Sequence, residues 1–144
     1  MQDDSFYQIY SNAALSTKNE VYVFLSNVAR LEDPLQKEAV VKQLIQREGQ
    51  GSMLIAEHVV LPHIESNKVG KSQIILIRLL HSIESWDAET KDIRLIIGVL
   101  LKENEDVQIK QKIASFMRAL ADEEYVDRLL TIEEEADFYK QIKR

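Results

Sequence analysis

Three histidines and no cysteine make up the soft nucleophile and metal-ligand repertoire of this 144-residue chain, and one histidine stands at a constrained position. In LPHIES, Leu61 to Ser66, His63 directly follows Pro62, one of only two prolines. Proline fixes its own φ, lacks an N–H and drives the preceding residue into an extended conformation. The run Val59–Leu61 is therefore predicted to be a strand that ends at Pro62. His63 then sits at the strand mouth, the kind of position where functional residues collect. An imidazole that titrates near neutrality can act as a nucleophile through its bare nitrogen, as an acid or base, or as a metal ligand. A metal site would have to draw on His58, His63, Glu57 and Glu65. A regular strand sets His58 and His63 on opposite faces, and their spacing fits no established zinc pattern. A Gly-x-Ser-x-Gly nucleophile elbow is absent. No cofactor and no metal are expected.

The elements that must position His63 follow from the apolar pattern. Thr17 can cap a helix with Glu20 three residues on, and Val21, Phe24, Leu25, Val28 and Leu31 mark one face of it. Asp33–Pro34 reads as cap and first-turn proline of a second helix, with Leu35, Ala39, Val40 and Leu44 as its buried stripe and REGQGS as its end. Three apolar runs then read as strands: Leu54 to Leu61, Gln73 to Leu80 and Ile93 to Leu101. Their near-continuous Ile, Leu and Val content predicts a sheet covered on both faces. Ile109, Ile113, Phe116, Met117 and Leu120 recur at helical spacing. A shorter helix from Asp122 to Leu130 follows, and a last one from about Glu133 carries Phe138 and Ile142 inward. FYQIY near the start fits either a strand or a helical turn. This order predicts a layered α/β sandwich, a central mixed β-sheet flanked by helices on both faces.

Length and composition set bounds. One domain spanning 1–144 is expected, long enough to bury roughly two thirds of its unfolded surface. Hydrophobic residues at 45% and charged residues at 29% fit an ordinary globular protein. The absence of cysteine fits a reducing, cytoplasmic compartment. No apolar stretch approaches the roughly 20 residues that span a bilayer, and the acidic start MQDDSFYQIY is expected to be neither signal peptide nor basic targeting segment. A net charge of −6 argues against direct nucleic-acid binding, which needs a clustered basic surface.

The segment REGQGSMLIAEHVVLPH, Arg47 to His63, resembles without a gap the signature of the mannitol/fructose-type (type 2) enzyme IIA domains of the bacterial sugar phosphotransferase system. Arg47, Glu48, Gly51, Ser52, Ile55, Pro62 and His63 match in type and spacing. ILIRLLHSIESWD resembles the family's next strand and turn, with Arg78 and Trp86 matching, and MRALADEEYVDRLL resembles its penultimate helices. The resemblance implies that His63 accepts a phosphoryl group from the phosphohistidine of an upstream carrier protein. Such a role requires the other ring nitrogen to donate to a fixed acceptor, for which a backbone carbonyl is the expected partner. Arg47 is the expected phosphoryl-stabilising cation, because a guanidinium fork matches phosphate oxygens with two parallel bonds. Ser52 and the backbone amides of GQGS are candidate neutral donors. Arg47 is also, more plainly, a solvated cation favoured by the dipole at a helix C-terminus.

The departures bear on function. The family usually has glycine at position 58, threonine at 53 and alanine at 60, where this chain has His58, Met53 and Val60. Met53 is expected to remove a hydroxyl from the phosphoryl site. Sugar-transporting members carry a second histidine just before the long helix, and the corresponding position here is Ile109 or Gln108. His81 is read as a partly exposed loop residue. Two roles follow from the resemblance. The first is a phosphocarrier, an enzyme-like phosphotransferase component that hands the group from the histidine phosphocarrier protein to an enzyme IIB. The second is the regulatory module of a transcriptional regulator or antiterminator, switched by phosphorylation of His63. The missing histidine favours the second.

Overall fold

The computed structural model describes residues 6–132 together with 137 and 140. The predicted last helix, with Phe138 and Ile142, lies outside these residues. Two compact units are formed, Met1–Asn104 and Glu105–Arg144.

The first unit is built on a six-stranded mixed sheet. Its elements are β1 (Tyr7–Ala13), α1 (Lys18–Val28), α2 (Lys37–Glu48), β2 (Leu54–Ala56), β3 (Val59–Val60), β4 (His63–Ser66), β5 (Gln73–Ser85) and β6 (Lys91–Lys102). The path across the sheet is β1-β5-β6-β3-β2, with β4 also paired to β6. β5 and β6 form the long antiparallel centre, β1 lies parallel to β5, and β3 and β4 lie parallel to β6. FYQIY thus resolves as strand.

The central strands are buried on both faces, as their unbroken aliphatic runs require: Ile74, Ile75, Leu76 and Ile77 are all fully buried. One face carries Ile75, Ile77, Ile96 and Leu100 and packs in a single core with Val21, Tyr22 and Leu25 of α1 and Val40 and Leu44 of α2. Gly98 of β6 lets α1 approach, since a Cβ there would lie 2.8 Å from Leu25 Cδ2. Thr17 caps α1 as predicted, accepting from the Glu20 N–H. Asp33 accepts from the Leu35 N–H, but Pro34 opens a 3₁₀ turn, Pro34–Gln36, ahead of α2. Leu35 therefore falls outside the helix and is 88% exposed, not part of the buried stripe.

The second unit holds α3 (Val107–Ala119), capped by Asp106, and α4 (Glu123–Thr131), capped by Asp122. Ile113 and Phe116 are buried on α3, and Tyr125, Val126 and Leu129 on α4. Ile109 and Gln108 stand in the first turn of α3. Among the described residues no helix is long and apolar enough to cross a membrane.

Candidate functional site

The run from Leu54 to Leu61 is not one strand. β2 and β3 are an antiparallel pair that turns at Glu57–His58. His58 sits at the turn with φ 72°, a left-handed conformation in which glycine is at home. The alternation expected between His58 and His63 therefore does not apply. His58 is packed, with its Nδ1 2.8 Å from the Asp92 carbonyl and 3.1 Å from Asp92 Oδ2. Its own carbonyl accepts the Arg94 and Leu95 N–H groups, which ties the hairpin to β6.

Pro62 interrupts a strand more than it ends one. Val59 faces Leu95 and His63 faces Val99, so the parallel register along β6 is the same on both sides of the break. Pro62 has no N–H to give, and its carbonyl accepts the Val99 N–H at 2.9 Å. His63 is thus the first residue of β4, on regular backbone, and not a loop residue. Its side chain is half-buried. Nδ1 lies 3.0 Å from the Leu61 carbonyl oxygen. A carbonyl can only accept, so Nδ1 carries the hydrogen and Nε2 is left with its lone pair. The sequence asks for a backbone acceptor at this position, and Leu61 supplies it two residues away.

Arg47 lies in the last turn of α2, which runs antiparallel to β4. At one end Glu32 N–H donates to the Lys68 carbonyl. In the middle Ser66 Oγ donates to Gln43 Oε1 at 2.7 Å. At the other end Leu61 N–H donates to the Met53 carbonyl. Gln43 and Arg47 are four residues apart and share a helix face. Arg47 thus stands one helical turn, about 5.4 Å, after Gln43 on α2. Among the described residues its guanidinium has no ion-pair partner. Ser52 precedes Met53, whose carbonyl accepts the Leu61 N–H. The serine is exposed, and its hydroxyl accepts the Leu54 N–H at 3.1 Å.

Three of the expected backbone donors are otherwise engaged. The N–H groups of Gly49, Gln50 and Gly51 donate to the carbonyls of Ile45, Arg47 and Glu48, closing the end of α2. Met53 is buried, with its sulfur 3.8 Å from Tyr22 Oη, so residue 53 faces the core and its lost hydroxyl bears on packing, not on the mouth of the site. His81 is exposed but lies within β5. Among the described residues no cluster of His, Asp and Glu is arranged to hold a metal ion.

A feature that sequence patterns did not reveal centres on Glu48, the residue after Arg47. The Glu48 carboxylate accepts from Lys18 Nζ through Oε1 and from Tyr22 Oη through Oε2, each at 2.6 Å. Lys18 and Tyr22 stand four apart on α1, a pairing visible in the sequence, but their partner is 26 residues further on. Tyr22 packs edge-to-face on Trp86, ring centroids 5.9 Å apart. Burial, followed by the bond to Glu48 and its charge, raises the Tyr22 phenol well above its usual range. A cleft of about 230 Å³ adjoins this group, lined by Glu48, Ser52, Met53, Trp86 and Asp87 among others. Neither His63 nor Arg47 lines it.

The sequence model described as phosphoenolpyruvate-dependent sugar phosphotransferase system, EIIA 2, matches residues 7–144. The fold is similar to that of nitrogen regulatory protein IIA-Ntr from Neisseria meningitidis, with TM-score 0.74 and 18% identity over 96% of this chain and 93% of that one. It is also similar to IIA mannitol from Escherichia coli, with TM-score 0.67 and 18% identity over 94% and 95% of the two chains. The Escherichia coli complex of enzyme IIAMTL with phosphorylated enzyme IIBMTL gives TM-score 0.66 and 18% identity over 99% and 97%. These likenesses establish the mixed α/β fold with its central mixed sheet. No curated protein sequence matches.

Proposed function

The chain belongs to the EIIA 2 family of the phosphoenolpyruvate-dependent sugar phosphotransferase system, and from that premise we propose that His63 accepts a phosphoryl group from a phosphohistidine carrier protein. The observation that carries the reading is the bond between His63 Nδ1 and the Leu61 carbonyl, which leaves Nε2 as the attacking nitrogen. In the transfer the Nε2 lone pair forms the new N–P bond as the donor's N–P bond breaks. The electron pair returns to the donor ring, whose other nitrogen carries a proton, so that ring is left neutral while the His63 ring takes up the positive charge with its Nδ1–H held by the Leu61 carbonyl. Arg47 pairs the equatorial oxygens of the PO₃ unit in transit and then the dianionic product. Ser52, exposed in the loop after α2, is the candidate neutral donor. His63 lies outside the cleft, half-exposed on strand backbone. Such a site suits a protein donor better than a small molecule that needs enclosure.

We infer further that the phosphoryl group acts here as a signal, in a regulatory module of a transcriptional regulator or antiterminator. By the family resemblance the place of the second histidine falls on Ile109, or on Gln108 with the loop one residue off, and neither supplies an imidazole. The loss of one preorganised donor raises a transfer barrier by about 3 kcal/mol. A switch tolerates slow charging and discharge; a relay does not. The phosphoryl group places close to two negative charges at the start of β4, which a docking partner can sense. The second reading, a phosphocarrier in sugar uptake, draws on the fold shared with an enzyme IIA captured with phosphorylated enzyme IIB.

Incubation with phosphoenolpyruvate, the first enzyme of the system and its carrier tests the site. The expected result is a mass gain of one phosphoryl group that is abolished by His63→Ala. An unmodified mass, or labelling that survives the substitution, refutes it. Mixing the phosphorylated protein with enzyme IIB proteins separates the two roles: slow discharge supports the switch, and discharge within seconds supports the relay.

A further inference from the structure

We propose that Glu48 is a positioning residue for phosphoryl acceptance: clamped between Lys18 and Tyr22, it fixes the last turn of α2 so that Arg47 stays open toward His63. The inference rests on the reading of His63 as phosphoryl acceptor. Glu48 is a carboxylate whose side chain is only 16% exposed, and the Lys18 side chain opposite it is 31% exposed. A carboxylate so far removed from water needs partners on both oxygens. It has one on each, an ammonium on Oε1 and a fully buried phenol on Oε2.

The consequence for Arg47 is geometric and electrostatic. The turn that carries both residues runs directly into the loop 49–51, whose three N–H groups donate to the last carbonyls of the helix. Helix ends held in this way fray readily. The clamp tethers the turn through its next residue to α1, itself packed on the sheet through Tyr22 and Leu25. The Lys18 ammonium also neutralises the Glu48 carboxylate, which adjacent helix positions already turn away from Arg47, so the cation stays available to phosphate. Arg47 touches the phosphoryl group, whereas Glu48 acts through Arg47.

The test is a double-substitution cycle read by the initial rate of His63 phosphorylation from the carrier, with each protein first shown to be folded by circular dichroism. Tyr22→Phe keeps the ring against Trp86 and removes one hydrogen bond of the clamp. It is expected to slow phosphorylation about tenfold in the Arg47 protein, and to have no further effect in an Arg47→Gln background. Lys18→Gln should behave alike. An unchanged rate in Tyr22→Phe, or the same slowing in both backgrounds, overturns the proposal, because a loss of general stability does not depend on Arg47. The Arg47 backbone amide resonance gives a second readout that needs no phosphoryl donor. Its exchange with solvent should be slow in the unsubstituted protein and clearly faster in Tyr22→Phe, with the amides of β5 and β6 unmoved. If the unsubstituted protein fails to be labelled at His63, the acceptor reading falls. The clamp is then judged by that amide, and an exchange rate unmoved by Tyr22→Phe sinks it.

Discussion

At His63 the ring is oriented by a carbonyl only two residues back in its own chain, so its tautomer depends on the local path Leu61–Pro62–His63 and on little else. Pro62 restricts that path, and the Val99 N–H holds its carbonyl. Arg47 is the complementary element, a cation without an ion-pair partner among the described residues. Its replacement by glutamine is expected to slow phosphorylation of His63 about a hundredfold while unfolding midpoints in urea stay close to unchanged, since no structural pairing is lost. A rate within a factor of two of the parent would remove Arg47 from the proposed mechanism. His58 presents the opposite case, a residue under local strain. It occupies a left-handed turn position held by Asp92. His58→Gly should relieve the backbone and lose the imidazole bonds, leaving stability within about 1 kcal/mol of the parent. His58→Val, β-branched and unable to bond Asp92, should cost about 2 kcal/mol or more in urea unfolding. Equal stability of the two variants would show that the turn is not held as described.

Among the elements, those with long one-sided or two-sided apolar patterns were readable from residues alone: α1 from Thr17 and its stripe, β5 and β6 from their aliphatic runs, α3 and α4 from helical spacing. What the pattern could not convey is local and short. Leu54 to Leu61 carries enough apolar residues for a strand, and nothing in composition marks Glu57–His58 as a turn, because a left-handed residue is ordinarily betrayed by glycine. The strand parity assigned to His58 failed for that reason. Pro34 signalled a helix start but opened a 3₁₀ turn first, which put Leu35 outside the buried stripe. The backbone acceptor of the His63 ring could be anticipated. The Lys18–Glu48–Tyr22 group could not, since it joins two helices through side chains 26 and 30 residues apart. Close packing between elements gives a separate prediction. Gly98 of β6 lies under Leu25 of α1, and a Cβ would meet Leu25 Cδ2 at 2.8 Å. Gly98→Ala should lift the helix or twist Leu25 from its rotamer, lowering stability by about 1–3 kcal/mol. An alanine variant as stable as the parent in urea would mean that α1 has room to yield.

Across the whole chain, pH acts on stability through a few groups whose titration folding displaces, and the signs can be worked out. Burial pushes the Asp87 carboxyl up, but the N–H groups of Glu89 and Thr90, the Thr90 hydroxyl and the Lys18 charge outweigh it and leave the group below its usual 3.8. The Arg94 guanidinium, bonded to both oxygens, holds Asp92 below the same value, with smaller help from Ser82 and His58. A carboxyl lowered in the native state binds protons more weakly there than in the unfolded chain. Its contribution is present above the unfolded value and is lost as pH falls below about 4. Tyr22 works in the other direction. Its native phenol is raised far above the usual 10.0, chiefly by burial and then by Glu48, so the unfolded chain ionises first as pH rises. Stability from this group is intact below pH 10 and declines above it, by up to about 1.4 kcal/mol per pH unit. These groups therefore leave a plateau between about pH 4 and pH 10, with an acid edge set by two aspartates and an alkaline edge set chiefly by Tyr22, to which Tyr7, raised by burial, adds. Melting temperatures followed from pH 2 to pH 11 should show both edges. Asp92→Asn should soften the acid edge, and Tyr22→Phe should remove the steep part of the alkaline one while lowering the plateau through the lost Glu48 bond. If Tyr22→Phe keeps the parent's alkaline slope, the phenol is not the buried, carboxylate-bound group described here, and the clamp on Glu48 goes with it.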